Sequence, residues 1–155
     1  MYCTCGTLDA KAADYSTWDD CCGFGFRHIL VSRDFSRSFA TVRKIERMKE
    51  EADPDVTITH DTGCVTTLDK SQFAAQAHGR NVGIPVMSDA QFAALAMGAH
   101  PYKVCQLHWH GVDMKPLMEK KGIDHEKAWQ EFEEVASRFK KDNGTEFMTW
   151  EDADA

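Results

Sequence analysis

The chain has 155 residues, of which 43% are hydrophobic, so it is the size of one ordinary domain and can bury a core. Its net charge of −7 argues against a nucleic-acid surface, because phosphate binding needs clustered Lys and Arg. No apolar run approaches the roughly 20 residues of a membrane-spanning helix. Met1 to Asp9 also lack the basic start and apolar stretch of a signal peptide. We therefore expect a cytoplasmic protein with no membrane span.

The first predicted elements are a helix and a strand. Apolar residues recur every three positions between Ser36 and Ala52, which is helical spacing. These residues are Phe39, Val42, Ile45 and Met48. The pattern predicts an amphipathic helix that ends before Asp53 and carries charged residues such as Lys44 on its other faces. Val56 to Thr59 is rich in β-branched residues and predicts a buried strand.

Helices and strands alternate in the middle of the chain. Leu68 to His78 predicts a second helix, and Gly83 to Met87 predicts a second strand. Ser88 is expected to cap a third helix that ends near Gly98. This alternation predicts an α/β fold with a small parallel sheet flanked by helices, in which ligands favour the carboxyl ends of strands.

A last helix is predicted near the C-terminus. Asp124 is its expected N-cap, and the helix runs from about His125 to Lys141. The residues after it form an acidic tail.

The six cysteines give the main functional signal. In a chain without export signals, cysteines are more often metal ligands or redox groups than structural disulfides. In Cys21-Cys22-Gly23, the adjacent cysteines rarely pair with each other, and the glycine lets the backbone turn closely past a bulky ligand. Cys64 stands between a predicted strand and helix, where backbone N–H groups and the helix dipole favour a thiolate.

These thiols predict a metal centre. Four thiolates from Cys5, Cys21, Cys22 and Cys64 match the ligand number of a [4Fe–4S] cluster. The same four would satisfy zinc, and the residue types do not choose between the metals. Cys3 is an alternative to Cys5 as the upstream ligand.

Other candidate groups lie nearby or further along the chain. His60, close to Cys64, is a candidate catalytic residue that would tune the metal centre by a hydrogen bond or handle a proton. Cys105 is interpreted as a packed thiol. His108 to His110 is interpreted as a partly exposed strand, with two imidazoles on one side as alternative metal ligands.

The ordered motifs resemble the cysteine-rich CCG domain of the B-type subunit of heterodisulfide reductase. The similarity begins at Cys21-Cys22-Gly23-Phe24-Gly25 and continues, after a helix and a strand, at Asp61-Thr62-Gly63-Cys64. It extends through Gly83-Ile84-Pro85-Val86 to the segment Lys115 to Lys120, and covers roughly Cys21 to Lys121.

This resemblance implies an iron–sulfur domain. The expected cofactor is a [4Fe–4S] cluster, ordinary or non-cubane, and the expected partners are other subunits of a heterodisulfide-reductase-like redox complex. The chain would then be an oxidoreductase subunit that exchanges electrons with a small thiol or disulfide substrate. The expected organisation is an iron–sulfur domain at 1–122, a C-terminal helix packed on it at 123–144 and the acidic tail at 145–155. Two alternatives are a zinc-binding assembly module and the iron–sulfur subunit of a lactate- or glycolate-type oxidase.

Asp61 departs from the family pattern. It stands where the family has the first cysteine of a Cys-x-x-Cys motif, so its carboxylate is a further candidate ligand. The alternative is that Asp61 only caps the following helix by accepting backbone N–H bonds.

Overall fold

A sheet of two short parallel strands lies between the helices of this protein. In the computed structural model, which describes residues 10–25 and 30–143, β1 spans Thr57–Thr59 and β2 spans Val86–Ser88. Thr57 pairs with Val86 and Thr59 with Ser88. A helical connection joins the two strands, so the predicted α/β class with a small parallel sheet is confirmed.

The helix before β1 contains a π-helical turn. It begins as α1, Arg33–Phe39, passes through the π turn at Ala40–Ile45 and ends as α2, Glu46–Glu51. The sequence pattern placed Val42 on the buried face and Lys44 on an outer face, and both placements are wrong. Val42 is 48% exposed, whereas Lys44 is only 8% exposed. The π turn takes up an extra residue, which rotates all later side chains around the axis.

Helix α3 spans Thr62–Gln76 and begins earlier than the predicted start at Leu68. Asp61 is its N-cap, and the Asp61 carboxylate accepts a hydrogen bond from the backbone N–H of Cys64 at 2.9 Å. Cys64 therefore lies in the first turn of the helix and not in the loop before it.

Helix α4, Asp89–Ala96, follows β2 directly. Ser88 is its N-cap, as predicted, and forms a capping box with Gln91. The remaining helical segments are a 3-10 turn, α5 and α6, which span Leu107–Trp109, Lys115–Lys120 and His125–Asn143. Among the described helices, none is long and apolar enough to cross a membrane.

The sheet separates two hydrophobic cores. Val86 and Met87 are neighbours on β2, and their side chains enter different cores because successive strand residues point to opposite faces. The cysteine-side core consists of Cys22, Ala40, Ile45, Met48, Leu68, Ile84 and Val86. The C-terminal core consists of Met87, Tyr102, Cys105, Leu107, Met114, Leu117, Met118 and Ala128.

The last helix covers the C-terminal core. Ala128 of α6 is part of that core, and Phe132 packs against it. Asp124 caps α6 by accepting a hydrogen bond from the backbone N–H of Lys127 at 3.0 Å, so the predicted start is right. The domain boundaries at residues 122 and 144 stay predictions, and the acidic tail at 145–155 lies outside the described residues.

Candidate metal centre

Two of the predicted ligands lie side by side. The Sγ atoms of Cys22 and Cys64 are 2.8 Å apart, although 42 positions separate these residues in the chain. Cys22 is buried in the loop before α1, and Cys64 is partly exposed in the first turn of α3. Both are free thiols. The fold therefore brings two soft donors together from distant segments.

Cys21 lies beside this pair without joining it. Its side chain is exposed, and its Sγ accepts a hydrogen bond from the backbone N–H of Gly23 at 3.4 Å. Within residues 10–25 and 30–143, no three His, Cys, Asp or Glu side chains converge closely enough to hold a metal ion. Cys3 and Cys5, the candidates for the upstream ligand, lie outside the described residues.

The turn after the two cysteines depends on glycine. Gly23 has a φ of +85°, and a Cβ at this position would lie 3.0 Å from the carbonyl oxygen of Ser36. The Ser36 hydroxyl, fully buried, donates to the carbonyl of Gly23 at 2.6 Å. Helix α1 therefore supports the turn through the hydrogen bond from Ser36 to Gly23.

A second glycine lets the two cysteine segments meet. A Cβ on Gly63 would lie 2.5 Å from the ring of Phe24, so this ring rests directly on the first turn of α3. The segment that carries Cys22 and the segment that carries Cys64 therefore contact each other through the sulfur atoms and through this ring.

Lys44 supports the same loop, and the sequence pattern did not reveal it. Its ammonium group donates to the backbone carbonyls of Thr17, Trp18 and Asp20 at 3.0, 2.9 and 2.5 Å. The signal that could have found it is the four-residue spacing of Ala40, Lys44 and Met48, which places Lys44 on the same helix face as two apolar residues.

The protonation of the sulfur pair follows from its burial. Desolvation, together with the neighbouring Cys22, raises the pKa of Cys64 to about 12. Cys64 therefore keeps its proton at neutral pH when no metal is bound. Binding a metal through its thiolate would release that proton.

The donor atoms suit a metal that takes sulfur ligands. Two thiolates on one tetrahedral metal lie roughly 3.8 Å apart when each metal–sulfur bond is about 2.3 Å. Cys22 and Cys64 would have to separate by about 1 Å to share such a metal. Cys64 is only partly buried, so its side chain has room to turn. The pair fits the expected chemistry, with Cys21 as the adjacent third donor.

Asp61 and His60 lie at the carboxyl end of β1 and have separate partners. One oxygen of Asp61 caps α3, and the Asp61 carboxylate also helps to raise the pKa of the Cys64 thiol. His60 is 89% exposed, and its Nδ1 lies 2.6 Å from Oδ2 of Asp89. This hydrogen bond raises the pKa of His60. The structure therefore joins His60 to α4 through Asp89, while Asp61 remains next to Cys64.

The candidates in the C-terminal core lie apart from this site. Cys105 is 2% exposed among apolar side chains, as expected for a packed thiol. His108 stacks on Phe132 with a centroid distance of 4.7 Å, whereas His110 lies 3.0 Å from the Gln91 amide nitrogen. The predicted strand at these histidines is wrong. In the observed 3-10 turn each residue rotates by about 120°, which sends the two imidazoles to different sides.

Comparison with known families agrees with this geometry. Residues 4–69 match the family model of the cysteine-rich domain CCG, so the match spans Cys21, Cys22 and Cys64. This part of the chain is similar to the CCG cysteine-rich domain. The resemblance expected from the motifs is confirmed.

Two curated relatives extend this similarity. A protein of Archaeoglobus profundus, named as like the B-type subunit of heterodisulfide reductase, is 39% identical over 102 residues, which are 64% of this chain and 33% of the relative. The B-type subunit of the ferredoxin:CoB-CoM heterodisulfide reductase of Methanosarcina acetivorans is 32% identical over 103 residues, with 66% and 32% covered. The chain thus spans about a third of the length of the curated relatives it matches.

Proposed function

We propose that Cys21, Cys22 and Cys64, together with Cys5, hold a [4Fe–4S] cluster in this CCG domain. The observation that carries the proposal is the contact between the Cys22 and Cys64 sulfurs, with Cys21 next in the chain. Thiolates are the donors that iron–sulfur clusters require. The cluster would be of an ordinary or a non-cubane type, with Asp61 as a further oxygen ligand.

On this basis the chain is an iron–sulfur subunit of a cytoplasmic, heterodisulfide-reductase-like complex. When bound, the cluster supplies one-electron transfer to or from a small thiol or disulfide substrate. The names of both relatives support this class of reaction, and other subunits would exchange electrons with the domain.

The residues around the sulfur pair would have different roles in such a site. The buried Cys22 lies on the inner side of the pair, whereas the exposed Cys21 and the partly exposed Cys64 leave the outer side open to a substrate or partner. His60, held by Asp89 at the carboxyl end of β1, is the proposed group for handling a proton.

Anaerobic reconstitution tests the cofactor. We expect about four irons and four sulfides per chain, with broad visible absorption that bleaches on reduction. Stoichiometric zinc without inorganic sulfide, in a colourless protein, would contradict the proposal and indicate the zinc-binding assembly module instead.

Rapid mixing tests the reaction. Each disulfide takes two electrons and two protons to give two thiols, so two reduced clusters are consumed per disulfide. The CoB–CoM heterodisulfide named for the Methanosarcina relative is the first substrate to try. We expect it to restore the visible absorption of the reduced protein faster than the corresponding thiols do. Equal rates with disulfide and thiols would contradict disulfide reduction, even if the cluster is present.

A further inference from the structure

A buried cation lies beneath the loop that leads into the two cysteines. The three hydrogen bonds from Lys44 to the carbonyls of Thr17, Trp18 and Asp20 use all three N–H donors of its ammonium group. Carbonyl oxygens satisfy these donors but do not neutralise the charge. The carboxylate of Asp20 is engaged by Arg43 at 2.7 Å. Lys44 therefore brings positive charge to the inner side of the loop.

The π turn explains how this lysine reaches the loop. In an uninterrupted α-helix, residues eight positions apart lie about 80° apart around the axis, because each residue turns by about 100°. The π turn at Ala40–Ile45 absorbs one extra residue, which brings Ser36 and Lys44 to within about 20° of each other. Ser36 holds the carbonyl of Gly23, and Lys44 holds the three carbonyls before Cys21. The same side of this helix therefore binds the loop before Cys21, through Lys44, and the carbonyl of Gly23, through Ser36.

The surrounding charges favour a cation at this position. Burial lowers the pKa of Lys44, while Asp20, Cys22, Asp19 and Cys21 oppose that shift by attraction. With four thiolate ligands, the negative charge of the sulfurs exceeds the positive charge of the iron–sulfide core, so the bound centre would be net negative near Lys44.

We propose that Lys44 is a positioning residue for the cluster: it fixes the loop that presents Cys21 and Cys22, and its charge offsets the negative charge of the reduced centre. This inference rests on the proposed function, since it concerns the same site. The proposal has two parts. The tether is the set of three hydrogen bonds from Lys44 to the loop, and the charge is that of the Lys44 ammonium group. Each part is tested by a separate measurement.

The tether is tested first in the metal-free protein. Lys44→Met removes the three donors and keeps the length of the side chain. We expect the buried Cys22 to be alkylated by iodoacetamide several-fold faster in this variant, as measured by peptide mass spectrometry. Lys49→Met is the matched control, because Lys49 lies on α2 in an exposed ion pair with Asp53. This readout needs no cluster, so it remains decisive if the wild-type protein takes up no iron and the proposed function fails.

The reconstituted protein tests both parts. Iron loss to a chelator should be about 10-fold to 100-fold faster in Lys44→Met than in the wild type, as is typical when a residue that supports metal ligands is removed. The reduction potential should fall, because a nearby cation stabilises the more negative, reduced cluster. Lys49→Met should change neither quantity.

Two further variants separate charge from tether and cover the case in which Lys44→Met does not fold. Lys44→Gln keeps two donors without the charge, so its potential should fall although much of the cluster is retained. Lys44→Arg keeps the charge and should hold the potential near the wild-type value. Equal potentials in the Gln and Arg variants would overturn the role of the charge. If Cys22 is alkylated and iron is lost at wild-type rates in both Lys44→Met and Lys44→Gln, the role of the tether is overturned.

Discussion

The cysteine-side core and the C-terminal core lie on opposite faces of the same sheet, and each buries a cysteine. Cys22 has the sulfur of Cys64 at 2.8 Å, and the pKa of Cys64 responds to burial, to Cys22 and to Asp61. Burial alone raises the pKa of Cys105, whose thiol lies among apolar side chains. Burial of a thiol therefore does not mark a site in this molecule, whereas a second sulfur and a nearby carboxylate do.

The polar side chains beside the two cores also differ. Beside the cysteine-side core, the buried Ser36 and Lys44 bind backbone carbonyls of the loop around Cys21 and Cys22. Beside the C-terminal core, the Gln91 amide makes a comparable bond to the carbonyl of Cys105, but that core is mainly extended by aromatic contacts, such as Tyr102 against Trp129 with a centroid distance of 5.1 Å. We infer that the first core is arranged to fix a backbone conformation and the second to add stability. Four predictions test that contrast.

The largest expected effect is the loss of the cluster from the cysteine-side core. Cys64→Ala or Cys22→Ala should remove most of the reconstituted iron, because each takes away one of the two converged sulfurs. Cys105→Ala should keep the wild-type iron content and cost only about 1 kcal/mol of stability from a small cavity. Iron analysis and visible absorption measure the first result, and denaturant unfolding measures the second. Loss of iron in Cys105→Ala would mean that the ligand assignment is wrong.

The second effect is a loss of stability confined to the C-terminal core. Met118 is 1% exposed, so Met118→Ala should lower the free energy of unfolding by about 2–5 kcal/mol. Iron content per folded chain should not change, since the sheet lies between this side chain and the sulfur pair. The exposed Met97 supplies the control, because Met97→Ala should stay within about 0.5 kcal/mol of the wild type. A parallel loss of iron in Met118→Ala would show that the two cores are not independent.

A smaller effect is expected at Asp61, which caps α3 beside Cys64 and is a proposed metal ligand. Asp61→Ala should lower stability by about 0.5–2 kcal/mol, because the cap on the N–H of Cys64 is lost. Asp61→Asn keeps the cap and should keep the stability. If the second role as a metal ligand holds, Asp61→Asn still loses iron to a chelator faster, since an amide oxygen binds iron more weakly than a carboxylate. Wild-type iron retention in Asp61→Asn would leave Asp61 with the cap alone.

The smallest effect is a pH dependence at the edge of the sheet. The hydrogen bond to Asp89 raises the pKa of His60 above its ordinary value of 6.5. The pair therefore stabilises the fold fully below pH 6.5, and this contribution is lost as the pH rises through the raised pKa. His60→Gln should remove that part of the pH dependence of Tm, with a small effect because the pair is exposed. Parallel curves of Tm against pH for the wild type and His60→Gln, from about pH 5 to pH 9, would contradict this contribution of the His60–Asp89 pair.

The elements that follow from local sequence signals were predicted well. Ser88 with Gln91 specifies the start of α4, and Asp124 specifies the start of α6, because a cap acts within one helical turn. The two strands appear where β-branched and apolar residues cluster, although β2 is shifted toward Ser88. The meeting of Cys22 and Cys64 followed from chemistry, since both are soft donors that a metal centre would bring together.

Other features could not be predicted because they depend on contacts between distant segments. The π turn has no strong local pattern, and only the loop that Lys44 holds explains why the helix is rotated there. The early start of α3 has a weak local signal because Thr62, Gly63 and Cys64 are poor helix formers, and the start depends on the bond from the Cys64 N–H to Asp61. The sequence does not distinguish the exposed Cys21 from the buried Cys22, because which of the two side chains points inward depends on how the loop packs.

The contact between Phe24 and Gly63 has a consequence for how this sequence can vary. Any side chain at position 63 would occupy the space that the Phe24 ring fills. A larger residue at position 63 should therefore be accepted together with a smaller one at position 24, and rejected without it. In a library that randomises both positions, the sizes of the side chains at positions 24 and 63 should covary among the sequences that fold.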